Sequence, residues 1–291
     1  MKAQKFFRRW QRQYRMLFKK QWTFLLRSRD EGNAGQVHDL RVTVRRLRLM
    51  LRISAPMLDK KAVKEYETWS RRLLNSTSRL RDYDVALEWL GQQSDCAGAI
   101  RSIKRARQRL WKRAKMKMKE LPAPVCSRLA RFELHHRGKA RIERRFSKQL
   151  IHLEESVARG LPEMSSLNMD ERHALRKKLR RIRYLQEISL PRRKRAGNRL
   201  LKKIGRLQNA MGELQNLVNA AAILSRVSSR IVPISIRVLL SQQQSAREDE
   251  IRRYSRAWSA DRRPRSSVPA GPTPEPSPER ENHGATDSRI D

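Results

Sequence analysis

The sequence predicts an all-α protein built from a duplicated helical unit and ending in a disordered tail. Three observations lead there. Apolar residues recur at helical spacing through most of residues 1–258, with almost no period-two runs. Only six of the twelve prolines fall before residue 260, so helix breakers are sparse. An eleven-residue pattern also occurs twice without a gap.

The breakers divide the chain in order. The first helix runs from the N-terminus toward the cluster at Gly32 to Gly35, and the second from there to Pro56. A long helical stretch follows to the Gly91 to Gly98 region, then another helix to Pro122 and Pro124. The second half repeats the scheme, with stops at Gly160 and Pro162, at Pro191 and at Pro233. Each interval is of bundle length. Residues 259–291 hold the other six prolines and few large apolar side chains, and are expected to be disordered.

Composition narrows the partner. The chain has 68 Lys and Arg against 29 Asp and Glu, a formal charge of +39 on 291 residues, which exceeds what solubility requires and points to an anionic ligand. A hydrophobic content of 38% still permits a sizeable core. Cys96 and Cys126 form neither a disulfide framework nor a zinc-ligand grouping. The cationic N-terminus is not followed by an apolar stretch long enough for a signal peptide or a membrane span. The expected location is the cytoplasm, with no membrane partner and no cofactor.

The repeat carries the functional signal. HDLRVTVRRLR (38–48) and HALRKKLRRIR (173–183) share the pattern HxLRxxxRR(L/I)R at a spacing of 135 residues. Upstream, Arg8, Arg12, Arg15 and Lys19 match Arg137, Arg141, Arg144 and Lys148 in one i, i+4, i+7, i+11 rhythm. Downstream, LNSTSRLRDYDV (74–85) is echoed more weakly by QNAMGELQNLVN (208–219), pairing Leu80 with Leu214, Arg81 with Gln215 and Asp82 with Asn216. The order of matches predicts halves at about residues 1–118 and 128–245, packed about a pseudo-twofold axis.

On a helix advancing about 100° per residue, His38, Arg41, Arg45, Arg48 and Arg52 fall within an arc of roughly 80°. Val37, Leu40, Val44, Leu47 and Leu51 cluster outside that arc, to dock into a bundle. His173, Arg176, Arg180 and Arg183 repeat the stripe, and Leu175, Leu179 and Ile182 repeat the apolar face. Neither stripe has interleaved acids, so like charges repel along it, by a few tenths of a kcal/mol per pair on an isolated helix. A bound polyanion reverses that penalty. Guanidinium groups donate paired hydrogen bonds to phosphate oxygens and keep their charge at neutral pH. The histidines gain charge as pH falls, so a mild acid dependence is expected. His135, His136, His152 and His283 recur in neither copy, and Trp10, Trp22, Trp69, Trp89 and Trp111 are expected to pack between helices.

Over residues 1 to 245 this pattern resembles the CHAD family, the conserved histidine α-helical domain. VHDLRVTVRRLRLMLRI (37–53) is similar to its first signature, RLRDYDVALEWL (79–90) to its RDxDV element, and ALRKKLRRIRYLQEI (174–188), preceded by His173, to its second signature. The resemblance implies two four-helix bundles around a shared basic cavity that binds inorganic polyphosphate, in some members locating the protein at polyphosphate granules. Carried over by position, His38, Arg41, Arg45, Arg46 and Arg48 line the cavity from one half, and His173, Arg176, Arg180, Arg181 and Arg183 from the other. The upstream cations Arg8, Arg12, Arg15, Lys19, Arg137, Arg141, Arg144 and Lys148 extend it, together with Lys202, Lys203 and Arg206. Asp82 and Asp84 repel phosphate and are expected to pair with arginines or to tie down helix ends.

Two departures stand out. The second RDxDV-like element is degraded to LQNLV (214–218). The upstream triphosphatase domain of many members, with its acidic ExExK metal motif, is not expected before residue 38, and Glu248 and Glu250 are followed by Arg252 without an acidic cluster. A non-enzymatic polyphosphate binder is therefore expected. The alternative is a nonspecific nucleic-acid-binding protein, because a domain with a pI near 11.5 attracts RNA and DNA at low salt.

Overall fold

The computed structural model describes residues 9, 12–13, 16–27, 34–121, 136–161, 167–189, 199–227 and 230–260. Every regular element among them is helical. A π-helical segment, Leu17–Trp22, runs into α1 (Thr23–Arg27). α2 (Ala34–Ser54), α3 (Lys60–Ser76), α4 (Ser78–Leu90) and α5 (Ala97–Lys119) complete the first half. The second half comprises α6 (His136–Gly160), α7 (Met169–Ser189), α8 (Arg199–Leu224) and α9 (Ile234–Ala260). α9 thus reaches Ala260, and the expected tail from residue 261 lies outside the described residues. No helix among the described residues is long and apolar enough to cross a membrane.

Local chemistry sets the boundaries. Pro56 lies in a short 3-10 turn, Ala55–Met57, that ends α2, because proline cannot donate the next helical hydrogen bond. Asp59 caps α3 by accepting from the Lys61 amide at 2.9 Å. α7 opens on a reciprocal capping box: Glu171 N–H donates to Asn168 Oδ1 at 3.0 Å, and Asn168 N–H to Glu171 Oε2 at 2.8 Å. Pro233 precedes α9 directly.

One expected helix is broken in the first half and whole in the second. α3 and α4 are separated at Thr77, where Ser76 Oγ and Thr77 Oγ1 each donate to the Leu73 carbonyl at 2.9 Å. Such back-bonding competes with the helical ladder. The repeat places Ala210 and Met211 at these two positions, without hydroxyls, and α8 continues through them.

α2 is the central helix. Val37, Leu40, Val44, Leu47 and Leu51 are buried as expected, and so are Leu49, Met50 and Ile53, because α2 packs against the π-helical segment, α3, α4 and α6. Packing of α4 on α8 and of α2 on α6 joins the halves. One large core runs through both, containing Tyr66, Trp69, Trp111, Phe146, Leu179 and Leu207. A second core joins the tips of the α4–α5 and α8–α9 pairs, through Leu90, Ile103, Ile223 and Ile236. Trp22, Trp69 and Trp111 pack as the sequence predicts, and Trp89 donates Nε1–H to Gln243 Oε1 at 2.8 Å. Trp10 and Cys126 lie outside the described residues, whereas Cys96 is a buried free thiol.

Candidate anion-binding site

The middle turns of α2 and of α7 bring four arginines of the repeated motif to one place. Arg45 and Arg180 occupy equivalent positions of the two copies, and the charge of Arg180 bears directly on Arg45 and on Arg41. Arg176 acts on Arg45, and Arg180 on Arg176. Burial comes first among the causes that lower the pKa values of Arg41, Arg45 and Arg176, and neighbouring cations add to it. Arg45 falls to about 9 and Arg41 to about 10, and Arg176 is lowered as well. Arg41 is thus buried and Arg45, Arg176 and Arg180 half-buried, whereas His38, Arg52 and His173 of the same stripes are exposed.

The four arginines are not alike. Arg41 is 7% exposed and donates from Nη1 to the Leu74 carbonyl and to Thr77 Oγ1, both at 2.6 Å, so it braces the α3–α4 break. Asp82 partly offsets its charge. Arg45 is acted on by Arg180, Arg41 and Arg176, with the Tyr184 phenol opposing them. Arg176 extends over α8 at Gly212, where a Cβ would stand 3.4 Å from its Nη2. These guanidiniums form a concentrated positive centre with hydrogen-bond donors to spare, which suits a chain of phosphates.

The histidines flank this centre. His38 is exposed at the start of the stripe, and its pKa is lowered first by partial burial and then by Arg81, with Arg45 and Arg41 adding to the effect and Asp39 opposing it. His173, also exposed, is lowered by partial burial and by Lys177, Arg176 and Arg180. Both therefore favour the neutral ring in the absence of a ligand.

The remaining motif arginines point elsewhere. Arg48 lies beside Arg52, Glu67, Tyr66 and Arg71, toward α3. Arg181 is exposed, and Arg52 and Arg180 both act on it. Arg46 donates from Nη2 to Glu187 Oε2 at 2.7 Å, and its guanidinium carbon sits 5.3 Å from the Tyr184 ring centroid. Arg183 donates to the other oxygen of Glu187 at 2.8 Å.

Among the outlying cations, Arg12, Arg141, Arg144, Lys148, Lys202 and Arg206 are exposed, and Lys203 is half-buried. Arg8 and Arg15, and the side chains of Lys19 and Arg137, lie outside the described residues. Arg9, absent from the expected set, donates to the Glu187 carbonyl at 2.9 Å. Asp82 and Asp84 are structural, as the sequence predicts. Asp82 accepts from Asn219 Nδ2 at 3.0 Å across the α4–α8 contact, and Asp84 forms a buried ion pair with Arg107. Among the described residues no group of three or more His, Cys, Asp or Glu is placed to hold a metal ion.

The model of the CHAD domain family matches residues 9–225. In structure the chain is similar to the CHAD domain from the plant Ricinus communis, with 18% sequence identity and a TM-score of 0.58, over 88% of this chain and 91% of that one. No curated protein matches it.

Proposed function

Since the chain belongs to the CHAD domain family, we propose that it binds inorganic polyphosphate in the groove between α2 and α7, without turning it over. The observation that carries this reading is the convergence of Arg41, which is buried, with half-buried Arg45, Arg176 and Arg180, where their charges oppose one another. A folded protein gains nothing from such repulsion until a polyanion neutralises it. The site lies between helices, so it favours a narrow phosphate chain over a double helix. His38 and His173 stand at its edge to donate to phosphate once protonated. The outlying cations Arg12, Arg141, Arg144, Lys148, Lys202, Lys203 and Arg206 extend the attraction for a longer chain. Association with polyphosphate granules in the cytoplasm follows as the cellular expectation.

Calorimetric competition tests this reading. At physiological salt and equal phosphate concentration, polyphosphate is expected to resist displacement by duplex DNA and by RNA, and displacement would refute the assignment. Arg45→Ala combined with Arg180→Ala is expected to weaken polyphosphate binding at least tenfold more than Arg262→Ala with Arg263→Ala, a loss beyond about 1.4 kcal/mol. Equal losses would show only diffuse electrostatics. Incubation with polyphosphate and a divalent metal is expected to release no phosphate.

One observation favours nucleic acid as a second ligand. The solvent face of α5 displays Arg101, Lys104, Arg105, Arg109, Lys112 and Arg113, and no acid occurs between residues 97 and 119. Such a face binds nucleic-acid backbone without reading sequence. Its binding is expected to survive the Arg45 and Arg180 substitutions.

A further inference from the structure

Arg41 and Arg176 hold equivalent positions in the two copies of the motif, but the helices they meet differ. Arg41 Nη1 finds two acceptors at the α3–α4 break, the Leu74 carbonyl and Thr77 Oγ1, both at 2.6 Å. The repeat puts Gln208 and Met211 at the positions of Leu74 and Thr77, and α8 runs unbroken through them. In a continuous helix each carbonyl is already taken by the amide four residues on, and methionine has no hydroxyl to offer. The acceptors that hold Arg41 therefore have no counterpart for Arg176. Among the described residues neither a hydrogen bond nor an ion pair holds it.

What Arg176 meets on α8 is Gly212. This glycine lies in the middle of a 26-residue helix, where it costs stability relative to alanine and terminates nothing. A Cβ there would stand 3.4 Å from Arg176 Nη2, so any longer side chain would compete with the guanidinium for its place. The first copy, whose arginine is tied to Leu74 and Thr77, carries Ser78 at the matching position. Arg176 itself is half-buried, acts on Arg45 and is acted on by Arg180, so it belongs to the arginine centre.

We infer that the two equivalent arginines have divided their work, Arg41 bracing the first half and Arg176 gripping the phosphate chain, and that Gly212 is the positioning residue that lets Arg176 lie across α8 with its donors open to the ligand. This rests on the polyphosphate reading and assigns roles within it.

Calorimetry with long-chain polyphosphate across a salt series, with scanning fluorimetry of the same proteins, tests the division. Arg176→Gln is expected to weaken binding about tenfold, the loss of one charge-assisted contact. It should flatten the slope of log K against log salt by about 0.7, without lowering the melting temperature. Arg41→Gln should lower the melting temperature by about 4 °C or more, because buried acceptors lose their donor, and should cost less affinity than Arg176→Gln. Gly212→Leu should reproduce the affinity loss and the slope of Arg176→Gln, and the two combined should lose no more than either alone. Gly212→Ala should weaken binding while raising the melting temperature by about 2 °C, a pairing that a merely structural glycine would not give. If Gly212→Leu does not fold, Gly212→Ala carries the cycle, and either reports even if Arg41→Gln unfolds. Equal melting and slope changes at Arg41 and Arg176, or additive losses at Gly212 and Arg176, would overturn the division. A wild-type protein that bound no polyphosphate would sink the polyphosphate reading and this assignment with it. Tight wild-type binding that Arg176→Gln left unaltered would sink the assignment alone.

Discussion

Arg45 sits where the folded protein, left to itself, would not place a cation. Burial and the charges of Arg180, Arg41 and Arg176 all disfavour its protonated form. Removing the charge should therefore relax the unliganded protein. Arg45→Gln is expected to raise its melting temperature by about 2–4 °C, the shift that corresponds to roughly 1 kcal/mol in a chain of this size. Differential scanning fluorimetry would read it, and a lower melting temperature would show that the packing of the arginine outweighs its repulsion. The histidines give a second prediction. His38 and His173 are held below the ordinary value of 6.5, and a bound polyanion raises them again. Binding should then take up protons, and affinity should rise as pH falls from about 7 toward 5.5 and stay flat above. Calorimetry in buffers of different ionisation enthalpy would detect the uptake, which His38→Ala with His173→Ala should abolish. Without ligand the sign reverses. The unfolded chain binds more protons than the folded one, so histidine-linked stability is full above 6.5 and declines as pH falls through the lowered values.

Between α4 and α5 the Asp84–Arg107 pair shows how an element can depend on one contact. Asp84 is 4% exposed and Arg107 6%, and burial raises the Asp84 pKa while Arg107 opposes the rise. Asp84→Ala leaves a buried guanidinium without its carboxylate and is expected to destabilise the protein by about 3–5 kcal/mol, measured by urea denaturation. The helices themselves were legible in the sequence, because apolar period and breakers act locally. Pro56, Pro233 and the Asn168–Glu171 box end or start helices where local chemistry demands. The break at Thr77 was not legible as a difference between the halves, since it depends on two hydroxyls competing for one carbonyl. The repeat singles out the candidate arginines. Which of them face the groove was not legible: Arg48 turns toward α3, and Arg46 and Arg183 are drawn to Glu187, a partner 141 residues from Arg46. Tertiary packing, not periodicity, decides those directions.

At the scale of the whole molecule, the halves meet through α4 on α8 and α2 on α6, and the arginine centre lies where the two copies of the motif approach. A ligand there contacts both halves and should stabilise them together. Polyphosphate at about a hundred times its dissociation constant should add about 2.7 kcal/mol, a rise of about 6 °C or more in melting temperature. That gain should shrink as salt rises. Scanning fluorimetry across a salt series would check it, and a salt-independent gain would contradict an electrostatic grip. The Arg46–Glu187 pair has one more consequence: it ties α2 to α7 through residues 141 apart in sequence, so a cut in the chain between the two helices would leave it among the contacts that hold the pieces together.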